Sequence, residues 1–87
     1  MKSEENIILG IDPGTRILGY GIISTLKDRR KQVKLLDFGI VNLKNEVTHF
    51  LVMQRILIEV SKLIRKYRPD VIAIEAPFYG KNPQVML

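Results

Sequence analysis

Two short apolar runs each end on a single acid: Ile7-Ile8-Leu9-Gly10-Ile11 stops at Asp12, and Val71-Ile72-Ala73-Ile74 stops at Glu75. Apolar runs this short, bounded by turn chemistry, read as strands buried on both faces. Asp12 leads into Pro13-Gly14-Thr15, where Pro and Gly suit a turn. The segment between the runs carries a different period. From about Glu46 to Tyr67, the residues Met53, Ile56, Leu57, Val60, Leu63, Ile64 and Tyr67 recur at helical steps, with charged residues on the remaining faces. That spacing predicts an amphipathic helix whose apolar stripe packs on a sheet. It stops before Pro69, because a residue preceding proline disfavours helical backbone. A strand, a long helix and a second buried strand argue for parallel pairing of the two strands through a right-handed crossover.

The remaining segments complete the order. Ile17–Thr25 reads as a second strand in which Gly19 and Gly21 permit a close backbone neighbour. Lys27-Asp28-Arg29-Arg30-Lys31 reads as a charged turn and Val33–Asn42 as a third strand, so the first three strands form an antiparallel meander. The fold class is α/β with a mixed sheet in the order β-β-β-α-β. Beyond Glu75 the chain turns through Ala76-Pro77-Phe78-Tyr79-Gly80-Lys81, and Asn82-Pro83 resembles a helix cap and first turn. A helix start with so few residues after it predicts that the chain is a fragment of a larger domain.

Composition narrows the function. Eighty-seven residues, 46% apolar and 26% charged, fit one globular domain and exclude a disordered polar tail. No apolar run approaches the length a bilayer needs, and the acids at Glu4 and Glu5 do not suit a signal peptide. The absence of cysteine excludes disulfides and thiolate metal sites, which fits the cytoplasm. Fourteen Lys and Arg against nine acids give a net charge of +5, which suits a polyanionic partner such as nucleic acid and also suits plain solubility.

Asp12 and Glu75 carry the chemistry. On parallel neighbouring strands both carboxylates project from the carboxyl edge of the sheet, where open α/β folds place ligands. Two like charges that close repel by roughly 1–4 kcal/mol, and a divalent cation relieves the repulsion. An oxygen-only set suits Mg²⁺ or Mn²⁺ rather than Zn²⁺. Taken singly, each acid also has a plainer reading: Asp12 initiates a turn, and Glu75 is a solvated strand end. His49 reads as a surface or capping residue, and Lys27–Lys31 as a solvated hairpin turn.

The residues around the two acids resemble a known family. Ile8-Leu9-Gly10-Ile11-Asp12-Pro13-Gly14-Thr15-Arg16, continuing to Gly19-Tyr20-Gly21, resembles the first motif of the RuvC family of Holliday-junction resolvases. Arg68-Pro69-Asp70-Val71-Ile72-Ala73-Ile74-Glu75, with Phe78 and Lys81-Asn82, resembles its second motif. The resemblance implies a ribonuclease H-like fold and a metal-dependent endonuclease that cuts four-way DNA junctions in recombination and repair, leaving 5′-phosphate ends. It implies Asp12 and Glu75 as catalytic, metal-binding residues, with two further acids from a later helix that lies outside this sequence. These 87 residues are therefore expected to be inactive alone. Two Mg²⁺ ions, replaceable by Mn²⁺, are the implied cofactors. Phe78, Tyr79, Lys81 and Arg16 are the implied DNA contacts, the aromatics by stacking and the cations by phosphate neutralisation. A homodimer, a branch-migration helicase complex and a bacterial cytoplasmic location follow from the same resemblance. Two other readings stand beside it: the amino-terminal subdomain of an actin-like ATPase or sugar kinase, with Asp12-Pro13-Gly14-Thr15 as a phosphate turn, and an inert nucleic-acid-binding module of the same fold.

Overall fold

The computed structural model describes residues 5–14, 16–26 and 29–75. Four strands and one helix follow in the expected order: β1 (Glu5–Asp12), β2 (Ile17–Leu26), β3 (Arg29–Asn42), α1 (His49–Tyr67) and β4 (Val71–Ile74). They form one mixed sheet in the spatial order β3-β2-β1-β4. The pairs β1–β2 and β2–β3 are antiparallel, whereas β1 and β4 run parallel, with Ile8 beside Val71 and Ile11 beside Ile74. The parallel pair is clasped at its start. The Asp70 amide donates to the Ile7 carbonyl at 2.7 Å, and the Ile7 amide donates to Asp70 Oδ2 at 2.9 Å.

The helix follows from its ends and its stripe. Thr48 is the N-cap, with extended backbone and a hydroxyl that accepts from the Leu51 amide at 3.1 Å. This satisfies one of the amides left without a partner in a first turn. The helix therefore starts at His49 rather than near Glu46, and His49 is its exposed first residue rather than its cap. Arg65 and Lys66 lie in the last turn, where positive charge complements the negative end of the helix dipole. Arg68 closes the helix in left-handed backbone, φ 48°, with its amide on the Ile64 carbonyl at 2.8 Å. The helix ends ahead of Pro69 as the sequence predicts, but by a left-handed cap rather than an extended residue.

Leu9, Ile11, Leu18, Ile22, Val41 and Leu43 form the buried core on one face of the sheet. Each such side chain removed from water contributes about 1.5–3 kcal/mol. Val52, Ile56, Val60, Leu63 and Tyr67 pack on this core. Met53, Leu57 and Ile64, expected in the same stripe, are exposed instead, at 53%, 67% and 37%. They fall about a quarter of a turn away from the contact line at about 3.6 residues per turn, so the helix presents a second apolar stripe outward. Tyr67 completes the docking by donating its hydroxyl proton to Asp37 Oδ2 on β3 at 2.7 Å.

The opposite face of the sheet has no covering element among the described residues. Val33, Leu35, Phe38 and Ile40 of β3 are 56–70% exposed there, in line with the 46% apolar content of so short a chain. The charged run departs from expectation, because β3 begins at Arg29 and the turn expected over Lys27–Lys31 gives way to strand by that residue. β2 likewise extends to Leu26, with register shifts near Ile22 and Thr25.

Candidate functional site

β1 and β4 bring Asp12 and Glu75 together. The last aligned pair is Ile11 with Ile74, and the Glu75 amide donates to the Ile11 carbonyl at 3.1 Å, so the ladder continues one step beyond β4. Adjacent strands are spaced by about 4.8 Å, which sets the separation of the two backbones at this step. Alternation along each strand puts both acids on the face opposite α1, since Leu9 and Ile11 point into the core. Both acids are exposed. Among the described residues neither carboxylate has an ion-pair or hydrogen-bond partner.

The surface beside them is nearly free of side chains. Gly19 pairs with Asp12 and Gly21 with Gly10, and together with Ala73 they floor an open depression of about 690 Å³ that has Asp12 and Glu75 on its rim. The turn that releases Asp12 from the sheet depends on Gly14. A Cβ there would run into the carbonyl oxygen of Ile17, so this position admits only glycine without rearrangement. The end of the turn is held by a third segment, because the Leu43 amide donates to the Arg16 carbonyl at 2.7 Å and the Leu43 side chain is buried. Arg16 is exposed on this same edge.

Of the six residues singled out from sequence, three are therefore placed: Asp12, Glu75 and Arg16 share the carboxyl edge of β1 and β4. Phe78, Tyr79 and Lys81 lie outside the described residues, as does the helix start at Asn82-Pro83. The glycine floor and Ala73 are the part that sequence reasoning left incomplete. Alternation alone, with Gly10 two residues before Asp12 and Ala73 two before Glu75, carries that signal.

The pair is suited to a hard cation. Two exposed carboxylates carried on neighbouring strands offer oxygen donors from adjacent backbones, and oxygen is the donor that Mg²⁺ takes. They form a partial set, since no group of three or more His, Cys, Asp or Glu residues that could hold a metal occurs among the described residues.

Comparison with known proteins agrees with the motifs. Residues 8–87 match the family model described as Crossover junction endodeoxyribonuclease RuvC. A Cytophaga hutchinsonii protein of that name is 43% identical over 86 residues, covering 99% of this chain and 42% of the relative. One from Bacteroides fragilis is 45% identical over 84 residues, covering 97% and 43%. The chain thus spans less than half the length of the curated relatives it matches. Among solved structures, a Thermus thermophilus RuvC in complex with a Holliday junction substrate superposes with a TM-score of 0.70 at 23% identity, over 88% of this chain and 46% of that one. The shared fold is the ribonuclease H-like one. The family match disfavours the ATPase or sugar-kinase reading of the Asp12-Pro13-Gly14-Thr15 turn.

Proposed function

This chain belongs to the RuvC family of crossover junction endodeoxyribonucleases, and from that premise we propose that it forms the amino-terminal portion of a single nuclease domain that resolves four-way DNA junctions. The observation that carries the reading is the side-by-side placement of Asp12 and Glu75 on parallel strands, inside the two motifs that define the resemblance. The complete protein acts on junctions in recombination and repair as a homodimer, whose twofold axis matches the symmetry of a four-way junction. It works with a branch-migration helicase in the bacterial cytoplasm. No described helix is long and apolar enough to cross a membrane.

Asp12 and Glu75 would hold Mg²⁺, or Mn²⁺ in its place, two ions serving the completed site. When bound, the metal supplies Lewis acidity at the phosphate and a water acidic enough to act as nucleophile. The chain's own part is positional. β1 and β4 hold the backbones of the two acids side by side, and the glycine floor lets a sugar-phosphate strand approach their rim. Arg16 neutralises a neighbouring phosphate without reading sequence. Phe78 and Tyr79 stack on bases beside the crossover, worth about 1–3 kcal/mol for each stacked base, and Lys81 pairs with backbone phosphate.

The test uses this chain completed with the remaining sequence of the Bacteroides fragilis relative. With Mg²⁺ it should nick a synthetic four-way junction to leave 5′-phosphate ends, and Asp12→Asn or Glu75→Gln should abolish nicking while junction binding persists. Cleavage that survives either change would overturn the assignment.

A further inference from the structure

The two ends of the sheet differ in what they carry. The carboxyl edge carries Asp12 and Glu75, whereas two basic segments meet at the opposite, amino-terminal end of β1. Leu26 pairs there with Glu5 on one side and with Arg29 on the other, so β3 enters the sheet at that end and brings Lys34. α1 finishes at the same end, since the chain rejoins the sheet through the Asp70 amide on the Ile7 carbonyl. Its last turn and cap bring Arg65, Lys66 and Arg68. Tyr67 links the two segments. Its hydroxyl bonds Asp37 on β3, and Lys66 Nζ lies 5.2 Å from the centroid of its ring.

The acids of this end keep their charge and are held by neutral donors. Glu5 accepts from the Ser24 hydroxyl, Asp37 from Tyr67 and from the Phe38 amide, and Asp70 from the Ile7 amide. Lys34, Arg65 and Arg68 are exposed and have no acidic partner among the described residues. Cations without ion pairs on two neighbouring elements, in excess of the acids beside them, form a surface that attracts a polyanion, and attraction by Lys and Arg without base contacts is the pattern of phosphate-backbone binding.

We propose that this basic end, formed by Lys34 of β3 with Arg65, Lys66 and Arg68 of α1, binds the sugar-phosphate backbone of one duplex arm of the DNA whose junction lies at Asp12 and Glu75. The proposal rests on the junction-nuclease reading and adds a second contact to it. Lys34 pairs through Ser24 to Ile7, and the chain leaving α1 meets the sheet at Ile7, five residue steps of β1 from Asp12, which is about 17 Å at roughly 3.4 Å per residue. Along one DNA strand that span corresponds to about five phosphates, at ~3.4 Å each. The contact therefore holds the arm about five nucleotides from the cut and orients it.

The experiment measures junction affinity of the completed protein in EDTA as salt is raised from 50 to 200 mM. For Arg65→Gln/Lys66→Gln/Arg68→Gln the slope of log affinity against log salt should become shallower by about 2–3, a tens-fold loss at low salt that narrows as salt rises. Lys34→Gln, which leaves the helix untouched, should reduce the slope by about 1, and Arg55→Gln, whose cation is ion-paired with Glu46 and Glu59, should leave it unchanged. Ethylation of phosphates about five nucleotides from the cut should interfere with binding by the parent and not by the triple variant. Unchanged slopes in both basic-end variants, an equal drop in the Arg55→Gln control, or interference confined to the crossover would each overturn the proposal. The nuclease reading fails separately, by cleavage in Asp12→Asn with the salt slope intact.

Discussion

Asp12 and Glu75 are neighbours because the Glu75 amide is bonded to the carbonyl of Ile11, one residue before Asp12. Sixty-three residues apart in sequence, they are joined by a single rung of parallel ladder. The site's precision therefore depends on the helix and caps that return β4 to the side of β1.

Thr48 is the first of these. Replacing it by Ala removes the acceptor for the Leu51 amide and should lower stability by about 1 kcal/mol, whereas Ser or Asn should retain most of it. Urea denaturation followed by circular dichroism reads the difference.

Tyr67 gives the fold a pH dependence. The hydrogen bond to Asp37 is the main cause holding its phenol above the usual 10.0, with burial acting in the same direction and Lys66 against it. A group whose pKa is raised on folding stabilises the fold fully below its unfolded pKa and loses that contribution as pH rises through the folded one. The stability gap between the parent and Tyr67→Phe should therefore be constant up to about pH 10, the usual tyrosine value, and shrink above it. Thermal melts of both proteins from pH 7 to 11 check this, and a gap that widened at high pH would contradict it.

Two glycines should behave in opposite ways. Gly14→Ala forces a Cβ against the Ile17 carbonyl and should cost about 1–3 kcal/mol as the turn after Asp12 rearranges. Gly21→Ala meets nothing within 4 Å and should be neutral or stabilising by about 0.5–1 kcal/mol, since glycine is the weaker strand former. Denaturation midpoints of the two variants decide both.

The sequence made the element order legible because period and punctuation agreed: apolar runs closed by Asp12 and Glu75, a helical stripe stopped by Pro69, and a strand–helix–strand series that leaves parallel pairing as the natural closure. Local patterns were weaker where tertiary context decides. Arg29 to Lys31 resemble a turn by charge, yet they extend an edge strand. Met53, Leu57 and Ile64 share a helical period with Ile56, Val60 and Leu63, but a single helix on one sheet buries only one stripe. Thr48 was available as a cap signal directly before the apolar-periodic segment, and Glu46 obscured it by extending the polar pattern upstream. Of the site, the two acids and Arg16 could be read from motifs. The glycine floor needed the register, because only pairing brings Gly10, Gly19 and Gly21 onto one surface.

The central claim is that Asp12 and Glu75 act together as a divalent-cation site, and paramagnetic broadening by Mn²⁺ in amide correlation spectra of this chain tests it most directly. Titrated Mn²⁺ should selectively broaden the amides of Asp12, Gly19 and Glu75, and the broadening should disappear in both Asp12→Asn and Glu75→Gln. Broadening that persists with either carboxylate replaced, or that centres elsewhere on the chain, would contradict the account.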